Sequence, residues 1–501
     1  MKNTALSIIL FTLLLAGIYL IIGFHQTMTL RPQSIHQWAQ CDRASVALNF
    51  AYDSPDIFKP RVHNTGNGTG ITGMEFPLIN YVAGLLYRVF GFHEWIYRLV
   101  MLLIISTGLV AAFRTAALFL KSELYAAAAV LLLFLSPVVV YYMPNFIPDT
   151  AALGLILCSW YFFLKYRLSS EKKFMILLVI SLSLACLIKV THLMSLAVMA
   201  VIAIDDHFRV MKQNTKEKRK SQKAFLILLS LPLLLCISWY SYASWLSEIN
   251  NSTIFLLKHR TIQNSAHFFA ILEDIQKVWL KQYYSKYMYA YLLISFTVII
   301  IFRKRIEQVI FKIIMLLWTG NLIYFILMMA QFPEHDYYIL SMLPAILFQS
   351  IAFMSVILSG NNKIIKYGSP VFLTALLIHG IWFSRHVFHN RYDPGSWMAN
   401  NPVYNQYAGL TSELRALGIS RIDIVISAYD NSPNISLYLM DQKGVTVSQD
   451  TELKSIIENY SKQADYLVLN DSSAIKTIAV AGLNAKFLGA KNNVYFYRLK
   501  K

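Results

Sequence analysis

Residues 5–22 contain no charged side chain, and apolar runs of this kind recur along most of the chain. This feature limits the fold more than any other. The bilayer core offers the backbone no water, so a spanning segment must satisfy its own N–H and C=O groups, which a helix does. About 20 mostly apolar residues make one such span. Charged residues form 14% of the chain, against about 25% in soluble globular proteins. The formal charge of +18 does not point to nucleic acid. Lys and Arg collect in short loops between apolar runs, as the positive-inside rule expects.

The first span covers 5–23, with Lys2 inside. Its apolar core is longer than that of a signal peptide and no small-x-small cleavage site follows, so it reads as a retained span. A polar stretch, 24–94, follows outside. Within it "PLINYVAGLLYRVF" is apolar for only about 13 residues, too short to span, and reads as an interfacial or re-entrant helix. Further spans are expected at 95–117, 123–143 and 149–166. Residues 174–205 are too long for one helix and form two short ones hinged at "KVTH" (189–192). That choice keeps the most basic loop, "DDHFRVMKQNTKEKRKSQKA", inside. Spans resume at 224–246, 286–302, 308–330, 338–358 and 369–384, with an outer segment, 247–285, that holds an amphipathic stretch. The total is about 11 spans. Cys41, Cys158, Cys186 and Cys236 show no CxxC spacing, so neither a disulfide framework nor a zinc site is expected. From about residue 390 the pattern changes. "RIDIVISAYD" (421–430) and "ADYLVLND" (464–471) read as buried strands, 451–463 as a helix and "NNVYFYRLKK" as a last strand. The expected fold is a polytopic α-helical membrane protein: a membrane domain over 1–388 and a small extracytoplasmic α/β domain over 389–501.

The stretch "WAQCDRASVALNF" (38–50) places an acid in apolar company just after the first span. On a helix at about 100° per residue, Trp38, Asp42, Ser45, Asn49 and Tyr52 share one face, and Arg43 points about 100° away from Asp42. A polar stripe can simply face water. An ionisable group at a membrane boundary with no cation four residues on also marks a functional site. Two more acids occupy similar outer positions. Glu75 precedes the short apolar helix in "GMEFPLINY", and Asp149 opens a span in "MPNFIPDTAALG", where a helix-capping role serves as well. Three acids in one cleft would suit a general base, acceptor-hydroxyl binding or a divalent cation, with Asp149 the candidate metal ligand. Late in the chain "QFPEHDYYILSMLP" crowds His335, Asp336, Tyr337 and Tyr338 at the mouth of a span. Such tyrosines are common membrane-belt anchors. His335 and the tyrosines can also bind phosphate, with Lys189 and Arg61 as cations for it.

In this order the elements resemble the lipid-dependent GT-C type membrane glycosyltransferases. The likeness is to the branch related to protein O-mannosyltransferases and the lipid A aminoarabinose transferase (glycosyltransferase family 39-like). "HQWAQCDRASVALNF" is similar to that family's W-R-Q-A-D-T-A pattern. "EFP", "VFGFHEWIYRLV", "IPD" and "HDYYILSMLP" follow in the family's sequence, and "DNSPNISLYLMDQKG" (430–444) matches its outer C-terminal domain. Two departures stand out. Ala39-Gln40-Cys41 replaces the family's Arg-Gln before the acid, and Phe76 stands where the aminoarabinose transferase type has Lys after the loop Glu.

The resemblance implies inverting transfer of a sugar from a polyprenyl-phosphate donor to an acceptor hydroxyl at the outer face of the bacterial cytoplasmic membrane. Asp42 would be the base. Glu75, Asp149, Lys189, His335, Tyr337, Tyr338 and Arg61 would bind substrate, and a divalent cation is compatible but not required. The acceptor could be a glycolipid, a glycan or a protein. A transporter or flippase of lipid-linked sugars is a competing reading, but that class favours internal repeats and ionisable groups at the midplane. An O-antigen polymerase or ligase is another, but such proteins lack this acid-bearing first loop.

Overall fold

A computed structural model describes residues 4–499, except 67, 213–215, 256–259, 361–362, 400, 450–456, 458, 461–462 and 472–484. Six described helices are long and apolar enough to cross a membrane: Thr4–Ile22, Glu94–Phe119, Asp149–Ser169, Arg219–Ile249, Gln308–Glu334 and Gly368–Tyr392. Two bent pairs raise the number to eight, Ser265–Tyr283 with Lys286–Ile301 and Asp336–Met342 with Pro344–Leu358. The remaining expected spans fall on helices that are short or charged. Residues 123–143 break before Pro137 into Glu123–Phe134 and Pro137–Tyr142, because proline cannot donate to the preceding turn. The expected hairpin is present as Lys172–Ile188 and Leu193–Lys212. Between them Lys189 takes extended geometry (φ −146°, ψ 106°) before the turn Val190–His192. The second helix of the hairpin ends in Asp205, Asp206 and Arg209. The chain is a multi-pass membrane protein.

The helix ends sort into two sets. At one end Arg167 pairs with Asp206 at 2.6 Å, Lys312 pairs with Asp205, and Arg305 lies beside Gly360. At the other, Trp239 Nε1 donates to the Met74 carbonyl (3.0 Å) and Trp279 Nε1 to that of Pro333 (3.0 Å). The last long helix also ends there, with Arg391 on Asp336 at 2.9 Å.

Two shorter helices lie across that second end. Gln37–Tyr52 is buried nearly all round, with Trp38 and Tyr52 exposed. Its apolar side packs on Leu78–Phe90, which comes very close at Gly84. A Cβ there would sit 2.7 Å from Phe50 Cβ and 2.8 Å from the Ala47 carbonyl oxygen. Asn80 Nδ2 donates to the Arg43 carbonyl (2.7 Å) and Arg88 Nε to that of Ala51 (2.9 Å), so the two helices are fixed in register. The far face of Leu78–Phe90 leaves Leu85, Val89 and Phe90 exposed, as an interfacial helix requires.

Between exposed Trp38 and Tyr52, the polar side of Gln37–Tyr52 does not face water at Ser45 and Asn49. It is covered by the C-terminal residues, which form a five-stranded sheet: β1 (Ile424–Ala428), β2 (Lys443–Val447), β3 (Tyr466–Leu469), β4 (Ala485–Lys491) and β5 (Val494–Leu499). The order is β2-β1-β3-β5-β4, parallel through β2, β1 and β3 and antiparallel beyond. Helix Ile435–Met440 makes the crossover from β1 to β2 that a parallel pair requires. Strands β1, β3 and β5 fall where the sequence placed them. β2 and β4 were not expected, and most of the helix expected over 451–463 lies outside the described residues. Substituting Gly84→Val should cost about 1–3 kcal/mol, because the contact is backbone and cannot yield. Thermal unfolding of the detergent-solubilised protein measures this; an unchanged melting temperature would refute the close packing.

Candidate active site

The second end of the bundle encloses an open cavity of about 1780 Å³. Sites for one small ligand hold about 300–1,000 Å³, so this one has room for two. Its wall draws on the helix carrying Asp42, on Glu75, on the hairpin tip at Lys189, on His335, Tyr337 and Tyr338, and on residues of the C-terminal sheet. Five segments distant in sequence thus meet at one place. Arg61 does not line it. That residue forms an isolated antiparallel bridge with Ile71, and its carbonyl accepts from Asn49 Nδ2 (2.7 Å), because the chain around Asn64 pairs with Gly444 of β2.

The acids singled out in the sequence meet different fates. Glu75 Oε1 accepts from Arg43 Nε at 2.7 Å, so Arg43 serves Glu75 and not its neighbour Asp42. Asp149 is buried just behind the wall, with Lys189 Nζ on its Oδ1 at 2.7 Å. Asp42 is 2% exposed, and its Oδ1 has no hydrogen-bond partner. Burial drives the Asp42 carboxyl well above the usual carboxylate range. Arg43 opposes this, and the charge of Asp430 adds to it. A carboxyl with raised proton affinity facing a cavity is suited, in its ionised form, to accept a proton.

Lys189 is the cation at the opposite side of this pair. Burial works against its ammonium, and Asp149 outweighs burial, so it stays charged. Its Nζ lies 4.4 Å from the ring centroid of Tyr338 and 5.0 Å from that of Tyr337, which the aromatic faces favour. His335 is neutral: burial, with His36 and Lys189 nearby, pulls it down to about 4. It can offer a hydrogen bond to an anion but no charge. Arg260, which the sequence reading missed, also lines the cavity and pairs with Glu334 at 2.5 Å. It sits in a mixed segment with no motif to mark it. Among the described residues no three His, Cys, Asp or Glu side chains gather to hold a metal ion. At Asp149 the Lys189 ammonium occupies the position a cation would take, so the residues do not fit a metal there.

The chain has a GT-C type fold, here a helical membrane bundle closed at one end by two juxtamembrane helices and an α/β sheet. Residues 75–242 match the family model described as dolichyl-phosphate-mannose-protein mannosyltransferase, a stretch that includes Glu75, Asp149 and Lys189. Two solved structures of ArnT from Cupriavidus metallidurans share the fold over nearly both whole chains. The apo form matches with TM-score 0.60 and 11% identity, over 98% of this chain and 97% of its own. The form bound to undecaprenyl phosphate matches with TM-score 0.59 and 12% identity, over 99% and 98%. No curated protein matches the sequence. The family model thus supports the likeness over 75–242, and the fold agrees with it over nearly the whole chain.

The burial of Asp42 has a measurable consequence. A carboxyl whose folded pKa exceeds its unfolded value of about 3.9 binds its proton more tightly when folded. The stability it lends is present below that value and is lost as pH rises through the folded pKa. Asp42→Asn escapes this loss, so it should melt above the wild type at about pH 8 and converge with it near pH 4. A thermal series across that range is the check; a wild-type advantage at the alkaline end would contradict the burial argument.

Proposed function

We propose that the chain is an inverting glycosyltransferase that moves a sugar from a polyprenyl-phosphate donor to an acceptor hydroxyl. The observation that carries this is the division of labour in one cavity: an acid free of ion pairs, Asp42, and a cation held charged, Lys189. The acceptor oxygen attacks the anomeric carbon while the bond from that carbon to the phosphate oxygen breaks. The bonding pair leaves with the polyprenyl phosphate, and the acceptor proton passes to Asp42. Glu75 and Asp149 are committed to Arg43 and Lys189, so neither is free as a nucleophile for a covalent intermediate. One base and a single displacement invert the anomeric centre. Lys189, with Arg260 and the Tyr337 and Tyr338 hydroxyls, would meet the leaving phosphate, where charge stabilisation contributes most. The undecaprenyl phosphate bound in the ArnT structure supports a donor of this class.

The site would face outward from a bacterial cytoplasmic membrane. Arg167, Lys173 and the run Arg303–Arg305 lie at the end opposite the cavity, and that end is cytoplasmic by the positive-inside rule. Residues 1–388 would then be the catalytic membrane domain and 389–501 an extracytoplasmic domain. The acceptor is a glycolipid, a glycan or a protein.

Asp42→Asn should lower transfer by about 10²–10⁴-fold at unchanged protein level. Comparison of envelope glycans and lipids by mass spectrometry, from cells with the wild type or the variant, detects the loss; an unchanged product in the variant would end the mechanism. Cysteines placed at Asn431 and Lys304 test the orientation. An impermeant thiol reagent on intact spheroplasts should label the first and not the second, and the reverse pattern would invert the topology.

A further inference from the structure

The motif "DNSPNIS" (430–436) belongs to the sheet, yet its side chains reach the helix that carries Asp42. Asn434 is fully buried. Its Nδ2 donates to Ser45 Oγ at 2.8 Å and to the Cys41 carbonyl at 3.4 Å. Ser45 Oγ in turn donates to the Asp42 carbonyl at 2.8 Å. Cys41, which precedes Asp42, and Ser45, one turn on along its face, are thus tied to one amide of the sheet domain. The turn that carries this amide is itself held firmly. Asp430 Oδ1 accepts from the Ser432 N–H (2.9 Å) and Oγ (2.7 Å), and Oδ2 accepts from the Ser436 N–H (2.7 Å). Ser432 Oγ caps the turn by accepting from the Ile435 N–H at 2.8 Å. Asn64 Nδ2 grips the Pro433 carbonyl at 2.7 Å.

A second set of contacts ties the domain to the same helix. Arg421 reaches Asn49 Oδ1 (2.8 Å), Asp441 Oδ1 (2.9 Å) and Asp53, and Lys443 reaches Asn49 Oδ1 (2.7 Å) and Asp53 Oδ2 (2.6 Å). Asn49 lies on the same helix as Asp42, two turns further on. The clamp and the turn therefore grip one helix at two points, and Asp42 lies next to the second.

We propose that the turn 430–436 of the sheet domain is part of the active centre, with Asn434 the positioning residue for Asp42 and Asp430 the frame of that turn. The proposal rests on the reading of Asp42 as base. The base is then assembled from two parts of the chain, and it is complete only while the sheet is docked. The charged and titratable groups near Asp42 are Arg43 and Cys41 on its own helix and Asp430 on the sheet, with Trp38 and Asn434 the polar side chains beside it. Asp430 favours the protonated form of Asp42 and Asn434 the ionised form, so the two positioning residues act with opposite sign.

That opposition gives the test. Dicyclohexylcarbodiimide couples to protonated carboxyls in apolar surroundings, and mass spectrometry of the peptide holding Asp42 yields the midpoint pH of its labelling. The full chain in detergent micelles is used, without substrate. In Asp430→Asn the midpoint should fall by about one pH unit, as loss of a near like charge requires. In Asn434→Ser it should rise. Midpoints that stay put, or move the same way, overturn the proposal. Should Asp430→Asn fail to fold, the sign of the Asn434→Ser shift decides alone, a rise supporting and no rise refuting. If instead Asp42→Asn keeps full transfer activity, the function falls, and the labelling shifts still judge the contact independently.

Discussion

The loop end of this molecule is assembled around one buried carboxylate, Asp336. Its Oδ1 accepts from Tyr142 OH at 2.6 Å and sits 3.1 Å from His36 Nε2, and its Oδ2 takes Arg391 Nη2 at 2.9 Å. Asp336 and Arg391 are both fully buried. A carboxylate withdrawn from water costs several kcal/mol unless its oxygens are met, and here the partners come from the start, the middle and the end of the membrane region. His36 stands at the entry to the helix that carries Asp42. Tyr142 ends the broken third span, and Arg391 ends the last helix before the sheet domain. Satisfying one ion therefore fixes where the first loop, the bundle and the C-terminal domain meet.

The same economy of charge separates Asp42 from the other acids at this end. Glu75, Asp149 and Asp336 are each matched by a cation within 3 Å or so, as buried ions generally must be. Asp42 is as deeply buried and is not matched. Burial without a matching cation raises the proton affinity of Asp42, which strengthens it as a proton acceptor once it is ionised. The cation at Lys189 is matched through Asp149, which keeps it charged while its ammonium still borders the cavity.

Much of this was readable from the order of residues. The apolar runs, the hinge at 189–192 and the parity of the basic loops set the bundle, because spanning length and loop charge are local properties. Asp42, Glu75, Lys189 and the His335–Tyr338 cluster all reach the cavity from positions that the motifs had marked. Arg61 did not, since its loop folds against the sheet. Arg260 and Arg391 carried no signal, because each matters only through a partner far away in sequence.

Sequence alone determined that the chain crosses a membrane many times, and it singled out Asp42 and Glu75, which meet at one end. These follow from hydrogen-bond satisfaction and charge placement along single segments. Only the tertiary structure decided which acid stays unpaired. The wheel of residues 38–52 could show Asp42 on a polar stripe, but not that the stripe is covered by the sheet instead of water. Desolvation depends on what packs against a group, and what packs against Asp42 arrives some 390 residues later in the chain, in the turn around Asn434.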